Sequence, residues 1–171
     1  MNHFHQIAAL LDSYGLDAML LTGEANRFYA SGFHSAGTDG VALVTRKKAY
    51  YFTDSRYIEA AGRSVQGAEI REVGPGRGYG VLLSEALGEQ QVCRLGYEEA
   101  YMTVLEHERY RKVLPCDLVP ATELLWKLRT VKDDEELDAM VAAQRIAEKA
   151  LEVICLLYTS DAADEARSVD L

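Results

Sequence analysis

Imidazoles and carboxylates are the side chains that could do chemistry in this chain, and neither kind is spaced for it. The histidines are His3, His5, His34 and His107, and no HExxH occurs. Metal sites want three or four converging ligands, and none is visible in the sequence. His3 and His5 stand two apart at an N-terminus expected to fray, and His34 lies close to Asp39 in a polar stretch, a suggestive but incomplete pair. The acid pairs Glu98-Glu99 and Asp133 to Glu136 could act as general acid and base. They read more simply as a strand exit and a helix cap. None of Ser13, Ser31, Ser35, Ser55, Ser64 and Ser84 sits in G-x-S-x-G. Gly74 to Gly80 is glycine-rich, as a phosphate cradle would be, yet it has no GxGxxG frame and no Gly-Lys-Ser/Thr ending. It reads as a connection before a helix. On residue chemistry alone there is no assembled active site.

The elements that would position these groups alternate. Phe4, Ile7, Leu10 and Leu11 predict a helix over 2–14, stopped by Gly15. Residues 16–22 form an apolar run expected as a buried strand. A short helix over 24–30 ends near Gly32, and 34–40 is a loop rich in small polar residues. Residues 40–45 and 49–53 predict a hairpin turning at Arg46-Lys47-Lys48, with Asp54 as the N-cap of a helix that ends near Gly62. A strand over 69–73, a helix over 81–87, a strand over 92–97, a helix over 101–113, a short strand over 117–119 and a helix over 122–129 follow. This order predicts an α/β fold, a mixed sheet flanked by helices. Asp133-Asp134-Glu135-Glu136 offers a capping box with acids in the first turn. Leu137, Met140, Val141, Ala147, Leu151 and Ile154 then form an apolar stripe that wants a partner surface.

Of 171 residues, 49% are apolar and 26% charged, ordinary for one globular domain. The net charge of −9, spread along the chain, argues against a nucleic-acid partner, which needs clustered Lys and Arg. No apolar run is long enough to span a membrane, and the N-terminus lacks the pattern of a secretory signal, so a cytoplasmic location is expected. Cys93, Cys116 and Cys155 are widely spaced and predict reduced, mostly buried thiols.

The last segment is unusual. Residues Cys155 to Glu165 resemble a translated sequencing-library adapter, and Ser168 to Leu171 resemble further adapter sequence. Residues 155–171 are therefore read as a non-native tail and set aside from the fold, which makes the chain a truncated frame.

Several ordered motifs carry a resemblance. Asp17 to Thr22 is followed by Asn26-Arg27-Phe28-Tyr29-Ala30-Ser31-Gly32-Phe33 and then by Tyr51-Phe52-Thr53-Asp54-Ser55-Arg56-Tyr57. Leu95-Gly96-Tyr97-Glu98, Met102-Thr103 and Leu128 to Leu137 come after these. Together they resemble the N-terminal domain of the creatinase/prolidase/aminopeptidase P family, the Xaa-Pro peptidases. The family patterns are N-x-x-Y-x-S/T-G-F, T-D-x-R-Y, G-x-E, M-T and L-R-x-x-K-S-x-x-E-[IL]. Asp133 stands where Ser is common in the last of these.

The resemblance implies a ribonuclease H-like α/β domain over 1–131. Residues 132–154 would start the helix leading into a pita-bread catalytic domain that lies outside this sequence. That domain would hold two divalent metals, manganese or cobalt, on two Asp, one His and two Glu. No catalytic residue and no metal ligand is expected in this chain. Its expected part is indirect: dimerisation, and substrate access for proline-containing peptides. His34, Ser35 and Asp39, in the loop after Gly32-Phe33, are the candidates for substrate-side contacts in trans. Asn26, Tyr29, Gly32, Phe33, Asp54, Arg56 and Tyr57 are the structural motif residues. A binding domain of an inactive relative, or a creatinase-like amidinohydrolase fragment, remains open at this level.

Overall fold

The strand segments 18–21, 41–45 and 49–53 are apolar or aromatic almost throughout, as is expected where a sheet is covered on both faces, whereas the segment 68–73 carries Glu69, Arg71 and Glu72. The computed structural model describes residues 2–37 and 39–167, which form two units, Met1–Thr130 and Val131–Leu171. The first unit begins with α1 (Phe4–Leu10), which tightens into a 3-10 turn, Leu11–Tyr14. Then come β1 (Ala18–Leu21), α2 (Glu24–Ser31), β2 (Val41–Thr45), β3 (Ala49–Asp54), α3 (Ile58–Ser64) and β4 (Ala68–Val73). It closes with α4 (Tyr79–Glu89), β5 (Arg94–Tyr97), α5 (Val104–Val113), β6 (Asp117–Pro120) and α6 (Thr122–Thr130).

The six strands form one mixed sheet in the order β4-β3-β2-β1-β5-β6. β1, β2 and β3 are antiparallel neighbours in turn, with Leu20 opposite Leu43 and Leu43 opposite Tyr50. β4, β5 and β6 join in parallel. Side chains alternate across the pleat, so each strand feeds two cores. Met19, Leu21, Ala42, Val44 and Tyr51 pack with Ile7, Leu11, Ala61, Leu124 and Leu125 from the α1 end, α3 and α6. Leu20, Val41, Leu43, Tyr50 and Phe52 pack on the other face with Leu82, Leu83, Ala86 and Leu87 of α4.

Local signals explain the element ends, and some differ from expectation. Gly32 closes α2 in the left-handed conformation at φ 68°, which glycine adopts without strain. Asp54 does not cap α3. That helix starts at Ile58 after Tyr57, with no side-chain cap, and Asp54 Oδ1 instead accepts from the Arg56 amide at 2.9 Å. A carboxylate bonding two residues ahead closes a local turn, which moves the helix start downstream. α3 also runs past Gly62 to Ser64. α5 starts at Val104 because Thr103 and Glu106 form a capping box. In the glycine-rich turn, Gly74 and Arg77 exchange both backbone hydrogen bonds, so those amides face each other rather than a ligand. His3, expected at a frayed end, is buried, with Nδ1 2.7 Å from the Tyr29 carbonyl oxygen. The thiols also depart from expectation: Cys93 and Cys155 are exposed, and Cys116 is partly buried.

The second unit is one long helix, α7 (Asp134–Arg167). Its capping box is reciprocal. Asp133 Oδ1 accepts from the Glu136 amide at 2.8 Å, and Glu136 Oε2 accepts from the Asp133 amide at 3.0 Å. The helix continues without a break through Ile154 and into the adapter-like segment. Ala, Leu, Glu and Arg there are good helix formers. Cys155, Leu156 and Tyr158 are exposed, so the helix does not bury its side chains at those positions. Met140, Val141, Leu151 and Ile154 are exposed as well.

Candidate functional site

The short loop between α2 and β2 is held from underneath by one buried cation. Arg27 lies on the inward side of α2, 1% exposed. Its Nη2 donates to the Ser35 carbonyl at 3.2 Å and the Gly37 carbonyl at 2.6 Å, and its Nη1 donates to the Thr22 carbonyl. Its Nε is the one buried side-chain nitrogen or oxygen without a hydrogen-bond partner among the described residues. A buried guanidinium bound to carbonyl oxygens fixes the path of the chain at those oxygens.

The loop residues are then placed one by one. Ser35 is 2% exposed, and its hydroxyl meets the Tyr51 hydroxyl at 2.8 Å. Gly40 makes room for that pairing, since a Cβ there would lie 2.8 Å from the Tyr51 hydroxyl and 2.9 Å from the Ser35 hydroxyl. Thr53 donates its hydroxyl to the Asp39 carbonyl at 3.0 Å. Arg56 bridges Asp39 Oδ1 at 2.8 Å and Asp54 Oδ2 at 2.6 Å. The Arg56 guanidinium beside Asp54 holds that carboxyl below the usual range. His34 is exposed, with Nε2 3.0 Å from Glu24 Oε1, and Glu24 Oε2 accepts from the Gly37 amide at 3.0 Å. Of the three candidate contact residues, only His34 is therefore exposed; Asp39 is partly buried against Arg56, and Ser35 is turned inward. Thr38, within the same loop, lies outside the described residues.

The motif residues serve the fold around the loop. Tyr29 stacks on His3 with ring centres 3.9 Å apart. Phe33 meets Tyr51 and Tyr57 edge-on at 5.8 and 6.4 Å. Asn26 is fully buried, with Nδ2 donating to Glu98 Oε1 and Oδ1 accepting from Arg129 at 2.8 Å.

Glu98, read from the sequence as a strand exit, is the fully buried carboxylate of this network. Oε2 accepts from the Gly23 amide at 2.8 Å and from the Thr22 amide. Burial pushes its carboxyl above the ordinary range, against the lowering effect of the bonds from Asn26, Gly23 and Thr22. Glu99 accepts from the Ala121 and Thr122 amides at 3.0 Å each and from the Thr122 hydroxyl at 2.7 Å. Glu98 and Glu99 thus brace chain turns, and Asp39 and Asp54 share the one guanidinium of Arg56. Among the described residues of the first unit, no three His, Cys, Asp or Glu donor atoms converge. This donor set does not fit a two-metal centre. Arg27, Glu24 and Glu98 are the residues whose structural parts the sequence reading missed. The signal that could have found Glu98 was the G-x-E spacing; for Arg27 it was the adjacency to Asn26 on the inward side of a short helix.

A family model described as the Creatinase/Prolidase N-terminal domain matches residues 5–131. The chain is similar to an uncharacterized peptidase, YqhT, of Bacillus subtilis (strain 168), at 35% identity over 145 residues, 82% of this chain and 39% of the relative. Among solved structures it is similar to an Xaa-Pro dipeptidase from Bacillus anthracis, with a TM-score of 0.82 and 29% identity over 90% of this chain and 42% of that one. It is also similar to the N-terminal domain of the cytoplasmic peptidase PepQ from Mycobacterium tuberculosis H37Rv. That match has a TM-score of 0.64 and 28% identity over 74% of this chain and 97% of that one. The chain spans 39% and 42% of the length of the first two relatives.

Proposed function

The chain belongs to the creatinase/prolidase N-terminal domain family, and from that premise we propose that it is the non-catalytic domain of a metal-dependent Xaa-Pro aminopeptidase or Xaa-Pro dipeptidase. In this reading 1–131 is the N-terminal domain, 132–154 leads into a catalytic domain encoded further on, and 155–171 is not native sequence. The location is cytoplasmic. Two divalent cations, manganese or cobalt, held by that further domain would activate water for attack on the bond beside proline. No residue of this chain is assigned to them.

The domain's own part is to form a homodimer and to present the loop over 34–39 to the partner copy's substrate, a proline-containing peptide. Arg27 and Ser35 set the loop's path, and the exposed His34 and the partly buried Asp39 are the groups that would meet the peptide. The observation that carries the non-catalytic reading is the state of Glu98. It is the one fully buried carboxylate among the described residues, and both its oxygens are committed to Thr22, Gly23 and Asn26. The acid that burial best prepares for proton transfer is therefore a brace.

The test is hydrolysis of Xaa-Pro dipeptides and longer Xaa-Pro peptides by this chain with added manganese. No turnover above a metal-only blank is expected, and turnover would overturn the reading. The genomic sequence past the Ile154 codon should encode two Asp, one His and two Glu as ligands. Substituted ligands there would favour a binding protein instead.

A further inference from the structure

A cavity of about 550 Å³ opens beside the first turn of α4, against one side of α5. It lies within the first unit, and none of the roles above uses it. Its walls include Val41, Val113 and the rings of Tyr79 and Tyr110, with Glu106 and Arg109 also lining it. This is the size and character of a small-ligand site: apolar walls with a few polar groups converging on them.

The polar groups are unspent. Among the described residues, Arg109 has no hydrogen-bond or ion-pair partner, and neither do the Tyr79 and Tyr110 hydroxyls. Glu106 spends Oε2 on the Thr103 amide and hydroxyl, leaving Oε1 without a hydrogen bond there. Glu106 and Arg109 are three apart on α5, so their side chains are neighbours, yet they do not pair with each other. One negative and one positive group thus stand side by side, each available, at the edge of an apolar recess. Burial pushes both phenols up to about 12, so their hydroxyls stay protonated and able to donate.

We propose that this cavity binds a small zwitterion with an apolar side chain, a free α-amino acid. The ligand carboxylate pairs with Arg109, its ammonium pairs with Glu106, and its side chain lies between Tyr79, Tyr110, Val41 and Val113. A simple apolar anion would meet the Glu106 carboxylate, and a simple cation would meet Arg109. Opposite charges a few bonds apart satisfy both. The inference goes beyond the peptidase reading and does not rest on it.

The experiment is amide NMR on the 171-residue chain titrated with L-phenylalanine, phenylacetate, phenethylamine and N-acetyl-phenylalaninamide. L-phenylalanine should give saturable shifts at Gly40 and Gly80, whose backbone also lines the cavity. The three analogues, each lacking one or both charges, should bind at least about tenfold more weakly, since removing one ion pair weakens binding by roughly a factor of ten. Arg109→Gln and Glu106→Gln should each weaken L-phenylalanine about tenfold. Glutamine still completes the capping box of α5, so the second variant keeps its helix. No saturable shift at Gly80 with millimolar L-phenylalanine overturns the proposal. So does phenylacetate or phenethylamine binding as tightly as the amino acid, or unchanged affinity in either variant.

Discussion

Replacing Glu98 by glutamine keeps the shape of the side chain and changes its hydrogen-bonding sense. In the native network one oxygen accepts from the Thr22 and Gly23 amides, and the other accepts from Asn26 Nδ2. Glutamine has one oxygen. If it stays on the two backbone amides, its own NH2 faces the NH2 of Asn26. Asn26 cannot turn over without loss, because its oxygen accepts from Arg129 at 2.8 Å. Two buried NH2 groups, those of Asn26 and of the new glutamine, are left without an acceptor, each at about 1–3 kcal/mol, and the remaining bonds lose charge assistance. Removing a desolvated charge works in the opposite direction, so the net loss at pH 7 should be about 1–3 kcal/mol.

The sign with pH follows from the raised carboxyl. A folded-state value above the ordinary 4.5 means that this residue's contribution is fully present below that value and is lost as pH climbs through the folded one. The gap between wild type and Glu98→Gln should therefore be wider at pH 5 than at pH 7. Urea unfolding at the two pH values measures it. At roughly 1–3 kcal/mol per molar of urea, the midpoint at pH 7 should fall by on the order of 1 M. A variant as stable as wild type at both pH values, or a gap that widens as pH rises, refutes the account of Glu98.

Arg27→Met keeps the stem of the side chain and removes three backbone-directed donations. A loss of about 1–3 kcal/mol is expected, together with faster amide exchange at Asp39, whose N–H donates to the Ala36 carbonyl within the loop; unchanged exchange would count against the clamp. Asp17 accepts from the Cys93 and Arg94 amides at 2.9 and 2.8 Å and pairs with Arg46. The Arg94 amide leads in holding its carboxyl below the ordinary 3.8. Its stabilisation is thus present above that value and lost as pH falls through the lower folded one. Asp17→Asn should cost about 1–2 kcal/mol at pH 7, and the difference should shrink in acid, as read by unfolding midpoints from about pH 7 down to about pH 3.

The sheet and its order of elements were legible because apolar runs and turn residues alternate, and because both faces of the sheet are covered. Tyr29 and Phe33 could be assigned to packing on the same grounds. Asp54 was misread for a local reason, since a carboxylate before a helix serves equally as an N-cap or as the acceptor of a turn two residues ahead. Arg27 and Glu98 were hidden for a more general one. Pattern reading assigns charge to the surface, because an unpaired buried charge is costly. These two are buried because main-chain groups stand in for counter-ions, carbonyls around Arg27 and amides around Glu98. For Glu98 those partners come from backbone that only the folded chain brings near: Thr22 and Gly23 lie more than seventy residues away. The same short turn touches both charges, since the Thr22 carbonyl accepts from Arg27 while the Thr22 and Gly23 amides donate to Glu98. The turn after β1 is therefore held from both sides by opposite charges that do not pair with each other. A perturbation at either one should be felt at the loop over 34–39, which hangs from the same guanidinium.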